Sequence, residues 1–502
     1  MRAEKRSQSQ AASARPAWTR IKEAECTGHF VMEQLLAILL SLAILALAVT
    51  TAGHALLYKR DGRSVILWVG FIILLPLIGA GLYWLLAVNR IRRRASALRP
   101  QPAGHGDSIP IPGTPASPPG SLRLLATLCD RVSPFPLSDG NTVTPLENGE
   151  VAFPAMLHAI ENAEDSVALA TYIFDDDSLG HRFLDALAAA AGRGVAVRVL
   201  IDAVGQRYSK RRMVPLLRSA GIRAAAFMPV RVPRDLASFN LRNHRKLLVI
   251  DGRIAFTGGM NIRLGHLTAT PGVSPIRDLQ CRVQGPVVAQ LMRVFADDWS
   301  FTTAEELSGE NWFPDIDGAE GILARAIPDG PDEHFEALKL VLQGALAEAR
   351  RSVVIVTPYF LPDATLISAL NTAALRGVAV DILVPEHNNL RLVQWASHAQ
   401  YGQLLERGCR IWHSPAPFDH SKLMLVDDEW VLVGSTNWDP RSLRLNFELN
   451  MECYSSVLSS TLRDWFERRR GEARQVTMED VQSQPFPVRL RDSAARLLIP
   501  ML

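Results

Sequence analysis

Two stretches of the chain carry no charged residue: Gln34 to Tyr58 and Ser64 to Asn89. Each is long and apolar enough to cross about 30 Å of hydrocarbon as a helix, and only Lys59-Arg60-Asp61-Gly62-Arg63 separates them. The pattern predicts a transmembrane helical hairpin over residues 34–89. A secretory signal followed by one span fits less well, because the first run exceeds a signal core and no small-residue cleavage site follows it. Basic residues gather before the first run (Arg2, Lys5, Arg6, Arg15, Arg20, Lys22) and after the second (Arg90, Arg92, Arg93, Arg94). That bias directs both flanks, and everything after residue 90, to the cytoplasm. Residues 1–33 read as a polar segment without regular structure. Residues 90–121, basic and then rich in proline, read as a tether.

From Leu122 onward, short apolar runs alternate with segments of helical period. Val167–Phe174, Val195–Asp202, Lys246–Ile250 and Ile254–Thr257 read as strands, and Phe183–Ala191, Met213–Ala220 and Val287–Trp299 as helices. The order then repeats. Arg193-Gly194-Val195-Ala196-Val197 recurs as Arg376-Gly377-Val378-Ala379-Val380, and His244-x-Lys246 recurs as His420-x-Lys422. Gly258 and Gly434 follow their histidines by the same interval, as do Asn261 and Asn437. The expected fold class is therefore α/β: two homologous mixed-sheet halves, 122–315 and 316–502, forming one catalytic unit behind the hairpin.

Composition narrows the function. With 502 residues, 48% of them hydrophobic, and a net charge of +3, the chain is neither disordered nor a strongly basic nucleic-acid binder. The five cysteines, Cys26, Cys129, Cys281, Cys409 and Cys453, form no Cys-x-x-Cys pair. A thiolate metal site is therefore not expected, and buried free thiols are.

The chemistry lies in His-x-Lys-x4-Asp, present as His244, Lys246, Asp251 and as His420, Lys422, Asp427. On a strand, positions i and i+2 share a face, so each histidine and lysine project together while Arg245 and Ser421 point away. An imidazole can attack phosphorus or donate a proton near neutral pH. An ammonium stabilises phosphoryl oxygens. If the halves meet about a pseudo-two-fold axis, the pairs converge on one phosphoryl-transfer site, one histidine acting as nucleophile and the other as acid, without metal or cofactor. Asp251 and Asp427 also suit turns that brace the motif; Asp251-Gly252 is a hairpin turn sequence. Tyr172 and Tyr359 read as core aromatics rather than pocket edges, and His266 as an ordinary residue. Arg207, Lys210, Arg211, Arg212, Arg242 and Arg245 form a cationic crowd that suits either anionic headgroups or a solvated face.

The doubled motif, with Gly-Gly-x-Asn at 258–261 and Gly-Ser-x-Asn at 434–437, resembles the phospholipase D superfamily. It is most similar to the bacterial cardiolipin synthases, in the hairpin run at 75–83, in Thr357-Pro358-Tyr359-Phe360 and in Asn446-Phe447-Glu448. The loop Glu386-His387-Asn388-Asn389 departs from that pattern. The resemblance implies transfer of a phosphatidyl group from one phosphatidylglycerol to another through a phosphohistidine on His244, with His420 as acid and then base. It implies phosphate contacts from Lys246, Lys422, Asn261 and Asn437, and His-orienting carboxylates at Asp278 and Glu448. It implies a multi-pass bacterial inner-membrane enzyme working on membrane phospholipids and no nucleic acid. A hydrolase with the same core, a nuclease and a non-catalytic lipid-binding scaffold are the alternatives.

Overall fold

A computed structural model describes residues 17–59, 62–84, 118, 120, 122–229, 241–316, 320–332 and 334–497. Most of the expected tether, the arginines at 90–94 and residues 1–16 lie outside the described residues. The chain divides into two compact units, Met1–Arg90 and Ile91–Leu502.

In the first unit, a 42-residue helix runs from Ala17 to Tyr58. Residues 17–31 are thus helical, against the expectation of an irregular segment. Pro16 stands just before the helix, where proline is tolerated, and the next proline is Pro76. The 27 residues Met32–Tyr58 are long and apolar enough to span a membrane, and their leucines and Ile38 face outward. The second apolar stretch is not one helix. It breaks into Gly62–Leu74 and Pro76–Leu82, because Pro76 lacks an N–H and its ring crowds the preceding turn. Close packing and two polar contacts join the stretches. The Trp84 indole donates to Thr51 Oγ1 at 3.0 Å, and Tyr83 OH lies 2.8 Å from His54 Nδ1. A Cβ on Gly79 would sit 2.7 Å from the Phe71 carbonyl oxygen, so the helical break itself depends on glycine there.

The second unit is built on strands β1 (Ser138–Glu147), β2 (Ser166–Thr171), β3 (Ala196–Asp202), β4 (Arg223–Phe227), β5 (Arg242–Asn243), β6 (Leu247–Ile250), β7 (Ile254–Gly258), β8 (Ile276–Arg277) and β9 (Leu279–Gln284). Its second half contributes β10 (Ile322–Asp329), β11 (Ser352–Val356), β12 (Ala379–Pro385), β13 (Arg410–Ser414), β14 (Phe418–Asp419), β15 (Leu423–Val426), β16 (Trp430–Gly434), β17 (Asn446–Tyr454) and β18 (Arg474–Val476). All but β8 and β14 join one sheet, ordered β18-β13-β12-β11-β15-β16-β17-β10-β1-β9-β7-β6-β2-β3-β4, with β5 on β17. Read outward from the β1–β10 seam, the two halves present corresponding strands in the same order. Parallel pairs β2–β3 and β11–β12 sit beside antiparallel β6 and β15, which is the expected mixed sheet.

The runs are strands because they are β-branched and buried on both faces, as in β11 and β12. Helices cover both sides. Val287–Thr303 packs its inward face on the central cluster, and Ala337–Glu348 and Ala364–Leu375 close the second half. At the seam, buried Arg325 meets Glu452 at 2.6 Å. Cys129, Cys281, Cys409 and Cys453 are buried free thiols, as expected.

Candidate active site

Both histidines lie where a short strand leaves its own half and pairs with the other. β5, just before His244, runs parallel to the start of β17, and the His244 N–H donates to the Phe447 carbonyl at 2.9 Å. β14, just before His420, runs parallel to β8, and the His420 N–H donates to the Arg277 carbonyl at 2.8 Å. The register places each histidine one residue from the opposite half's carboxylate. His244 Nδ1 lies 3.0 Å from both oxygens of Glu448, and His420 Nδ1 lies 2.9 Å from Asp278 Oδ2. A carboxylate accepts, so each Nδ1 carries the proton and each Nε2 is left as the free lone pair. The carboxylates are thus crossed: each half orients the other half's histidine.

The supports of the two carboxylates differ. Glu448 also accepts from Ser435 Oγ at 2.5 Å and Asn446 Nδ2 at 3.0 Å. Burial disfavours its charge, but His244, Lys246 and these hydrogen bonds outweigh burial and hold the carboxyl below its usual range. Asp278 accepts from the Leu279 N–H at 2.8 Å. Its pKa is raised, burial outweighing the attraction of Lys422 and His266. His266 is fully buried, accepts the Asn261 N–H at Nε2 (3.3 Å) and turns Nδ1 toward Asp278 Oδ2 at 4.0 Å. Nothing in the sequence marked it, since a lone histidine has no pattern.

The lysines complete the charge. Lys246 Nζ reaches the His244 carbonyl at 2.6 Å and lies 5.7 Å from the Tyr172 ring centroid. Lys422 Nζ sits 2.9 Å from His420 Nδ1 and contacts the His420 carbonyl. Burial, partly offset by Glu448, brings Lys246 down to about 7; burial, partly offset by Asp278, brings Lys422 to about 8. Burial and the lysines also lower His244 to about 4 and His420 well below its usual value. His420 feels Lys246 and His244 across the halves, so the four residues form one electrostatic site. Each imidazole keeps 12% of its side-chain surface open.

The other expected residues divide. Asn261 is buried beside the site, its Oδ1 accepting the Ile173 N–H at 3.0 Å. Asn437 pairs with Ser442 at 3.2 Å and keeps an unpaired Oδ1. Asp251 and Asp427, expected in the catalytic set, are held away from it. They stand five residues beyond Lys246 and Lys422, at the far ends of β6 and β15, about 16–17 Å along an extended strand. Their φ values are +51° and +55°. Asp251 accepts the N–H groups of Glu164, Asp165 and Ser166, and Asp427 those of Arg350, Arg351 and Ser352. They fasten the starts of β2 and β11.

The aromatic expectation is also corrected. Tyr172 lies edge-on to His244 at 5.2 Å, and Tyr359 edge-on to His420 at 6.4 Å, so both line the site. The cationic crowd splits: Arg245 is buried against Asp298 at 2.6 Å, Arg242 is buried near Asp202, and Arg211 pairs with Asp176. Arg207, Lys210 and Arg212 remain exposed. Among the described residues no cluster of three metal-ligating side chains occurs.

The family described as cardiolipin synthase, PLD-like domain, matches residues 156–299 and 342–470. A cardiolipin synthase of Geobacillus kaustophilus is 32% identical over 481 residues, covering 93% of this chain and 94% of its own. The major cardiolipin synthase ClsA of Bacillus subtilis is 34% identical over 367 residues, covering 73% and 76%. Among solved structures, a phosphatidylserine synthase of Haemophilus influenzae superposes with a TM-score of 0.60 at 15% identity, over 76% of this chain and 100% of that one, a likeness of fold alone.

Proposed function

The chain belongs to the cardiolipin synthase family of phospholipase D-like phosphatidyltransferases, and from that premise we propose that it joins two phosphatidylglycerols by a double displacement at His244 and His420. The observation that carries this reading is the crossed pair of Nδ1–carboxylate contacts, which leaves the Nε2 lone pair of each histidine free for chemistry.

The first displacement requires a neutral nucleophile, and burial keeps His244 neutral near pH 7. Its Nε2 lone pair attacks the donor's phosphorus, the bond from phosphorus to the departing glycerol oxygen breaks, and His420 gives that oxygen a proton. Burial depresses His420 most and the lysine charges add to it; an entering phosphodiester offsets the lysine part and so shifts His420 toward the protonated form this step needs. In the second displacement His420 takes the proton from a hydroxyl of the second phosphatidylglycerol. That oxygen attacks phosphorus, the P–N bond breaks, and His244 is restored with cardiolipin as product. Glu448 stabilises the charge on His244 and fixes its tautomer; Asp278 does the same for His420. Lys246, Lys422, Asn261 and Asn437 hold the phosphoryl oxygens. The Asn437 amide donates one N–H to Ser442 Oγ at 3.2 Å, which fixes the side chain and leaves its second N–H for phosphate.

Two spans over residues 34–89, a tether over 90–121, catalytic halves over 122–315 and 316–502, and a cytoplasmic site at the inner membrane complete the proposal. The helix Met32–Tyr58 and the basic flanks support it. Purified full-length protein supplied with phosphatidylglycerol in mixed micelles tests the function. Cardiolipin and glycerol in equal amounts, lost in both His244→Ala and His420→Ala, are expected. Phosphatidic acid as the sole lipid product overturns transfer in favour of hydrolysis.

A further inference from the structure

The catalytic unit carries an apolar stripe that its own core does not use. Helix Phe486–Arg496 turns Asp492 and Ala495 inward against helix Arg391–Leu405. There the Arg491 guanidinium lies 4.4 Å from the Trp395 ring centroid, and Ala495 packs with Leu361, Val393 and Ala396. On the opposite side Phe486, Leu490 and Leu497 are 73%, 58% and 77% exposed. At 3.6 residues per turn they fall within about 40° of arc, a second apolar face. Arg489 and Arg496 line one edge of it and make no ion pair among the described residues.

The helix that carries this face is joined to the site through its inner side. The cluster around Ala495 includes Tyr359, whose ring faces His420 and whose hydroxyl donates to Asn389 at 2.9 Å. The next residues, Leu390, Arg391 and Leu392, are exposed, the leucines by about half. From the first half, exposed Tyr208 packs near Tyr172, 6.2 Å between ring centroids, beside exposed Arg207 and Lys210.

We propose that this face docks on an anionic bilayer. The stripe of Phe486, Leu490 and Leu497, with Leu390 and Leu392, enters the boundary between headgroups and acyl chains, and the arginines meet lipid phosphates. Separated apolar side chains on a convex helix, edged on one side by unpaired arginines, match an interfacial helix rather than a protein groove. The docked mouth opens onto the headgroup layer, so a phosphodiester reaches His244 and His420 while its acyl chains stay in the membrane. This rests on the reading of membrane phospholipid as substrate.

The test uses full-length protein in vesicles. An environment-sensitive fluorophore is placed at Leu490→Cys in a Cys26→Ser background, with Glu164→Cys, at the far ends of the strands, as control. Acyl-chain nitroxide lipid is expected to quench the Leu490 position at least about threefold more than the Glu164 position, and more in phosphatidylglycerol than in phosphatidylcholine. Phe486→Ser with Leu490→Ser is expected to cut cardiolipin formation from vesicles about tenfold and leave turnover of dispersed short-chain phosphatidylglycerol within twofold. Equal quenching at both positions overturns the proposal, as does unchanged vesicle turnover. Protection of Leu490 that tracks protein rather than lipid concentration overturns it in favour of a second copy. If the parent makes no cardiolipin from either substrate form while Leu490 is still quenched, docking stands and the substrate reading falls.

Discussion

Replacing Glu448 with glutamine removes one charge and one acceptor from a fully buried position while keeping its volume. In the parent, Glu448 accepts a hydrogen bond from His244 Nδ1–H, 3.0 Å from either oxygen, and also accepts from Ser435 and Asn446. A hydrogen bond to a buried charged group contributes about 1.5–3 kcal/mol. Glu448 also raises the basicity of His244 against burial, so its loss lowers the nucleophile further, and each pKa unit corresponds to about 1.4 kcal/mol. Adding freedom for the wrong tautomer, we expect about 3–5 kcal/mol on the chemical step, or roughly 10²–10⁴ in kcat. KM for phosphatidylglycerol should change less than about threefold, because the lysines that meet phosphate remain. The assay is cardiolipin formation in mixed micelles, measured for Glu448→Gln, His244→Ala and the double variant, with circular dichroism melting to confirm folding. A carboxylate that acts only through His244 adds nothing once His244 is gone. The double variant should therefore match His244→Ala, whereas Glu448→Gln combined with His420→Ala should be slower than His420→Ala alone, if residual turnover is measurable. Coupling of Glu448 to His420 instead, or a kcat within threefold of the parent, refutes the crossed arrangement.

Other consequences follow from the same geometry. A Cβ at Gly259 would lie 2.2 Å from Asp278 Oδ1, so Gly259→Ala should push the carboxylate off His420 and lower kcat about 10–100-fold. Asp427→Ala leaves three backbone N–H groups of the β11 start without their acceptor, costing about 2–4 kcal/mol; the melting temperature should fall by several degrees while specific activity of the folded fraction stays within about threefold. Lysines pushed down to about 7 and 8 lose their charge as pH rises, so kcat/KM should decline through pH 7–8, well below the range of an ordinary lysine; a flat profile to pH 10 contradicts this. His266→Phe removes the group beside Asp278 and should affect His420-dependent steps, seen as a lower kcat at unchanged KM.

Much of the fold was legible because it repeats. Two copies of Arg-Gly-Val-Ala-Val and of His-x-Lys gave the halves, and the β-branched runs at Val353 and Val378 gave strands. The crossing of the carboxylates was not legible. It depends on two-residue bridges between β5 and β17 and between β14 and β8, roughly 150–200 residues apart, too short to leave a period. Asp251 and Asp427 shared the spacing of the chemical residues, yet a rise of about 3.3 Å per residue carries them away from the histidines, and positive φ turns their carboxylates onto backbone. The second apolar stretch read as one helix because composition alone ignores what Pro76 does to the preceding turn. Tyr172 and Tyr359 are aromatics at strand ends, where the same side chain serves core or pocket, and only their distance to the imidazoles decides.

The most direct test of the two-step account is a rapid-quench experiment on full-length protein with phosphatidylglycerol, followed by alkaline digestion and tandem mass spectrometry. The account predicts an acid-labile adduct of phosphatidyl mass on His244, formed within the first turnover, consumed by a second phosphatidylglycerol and absent from His244→Ala. Cardiolipin formed in that turnover without any adduct, or an adduct carried by His420, contradicts it.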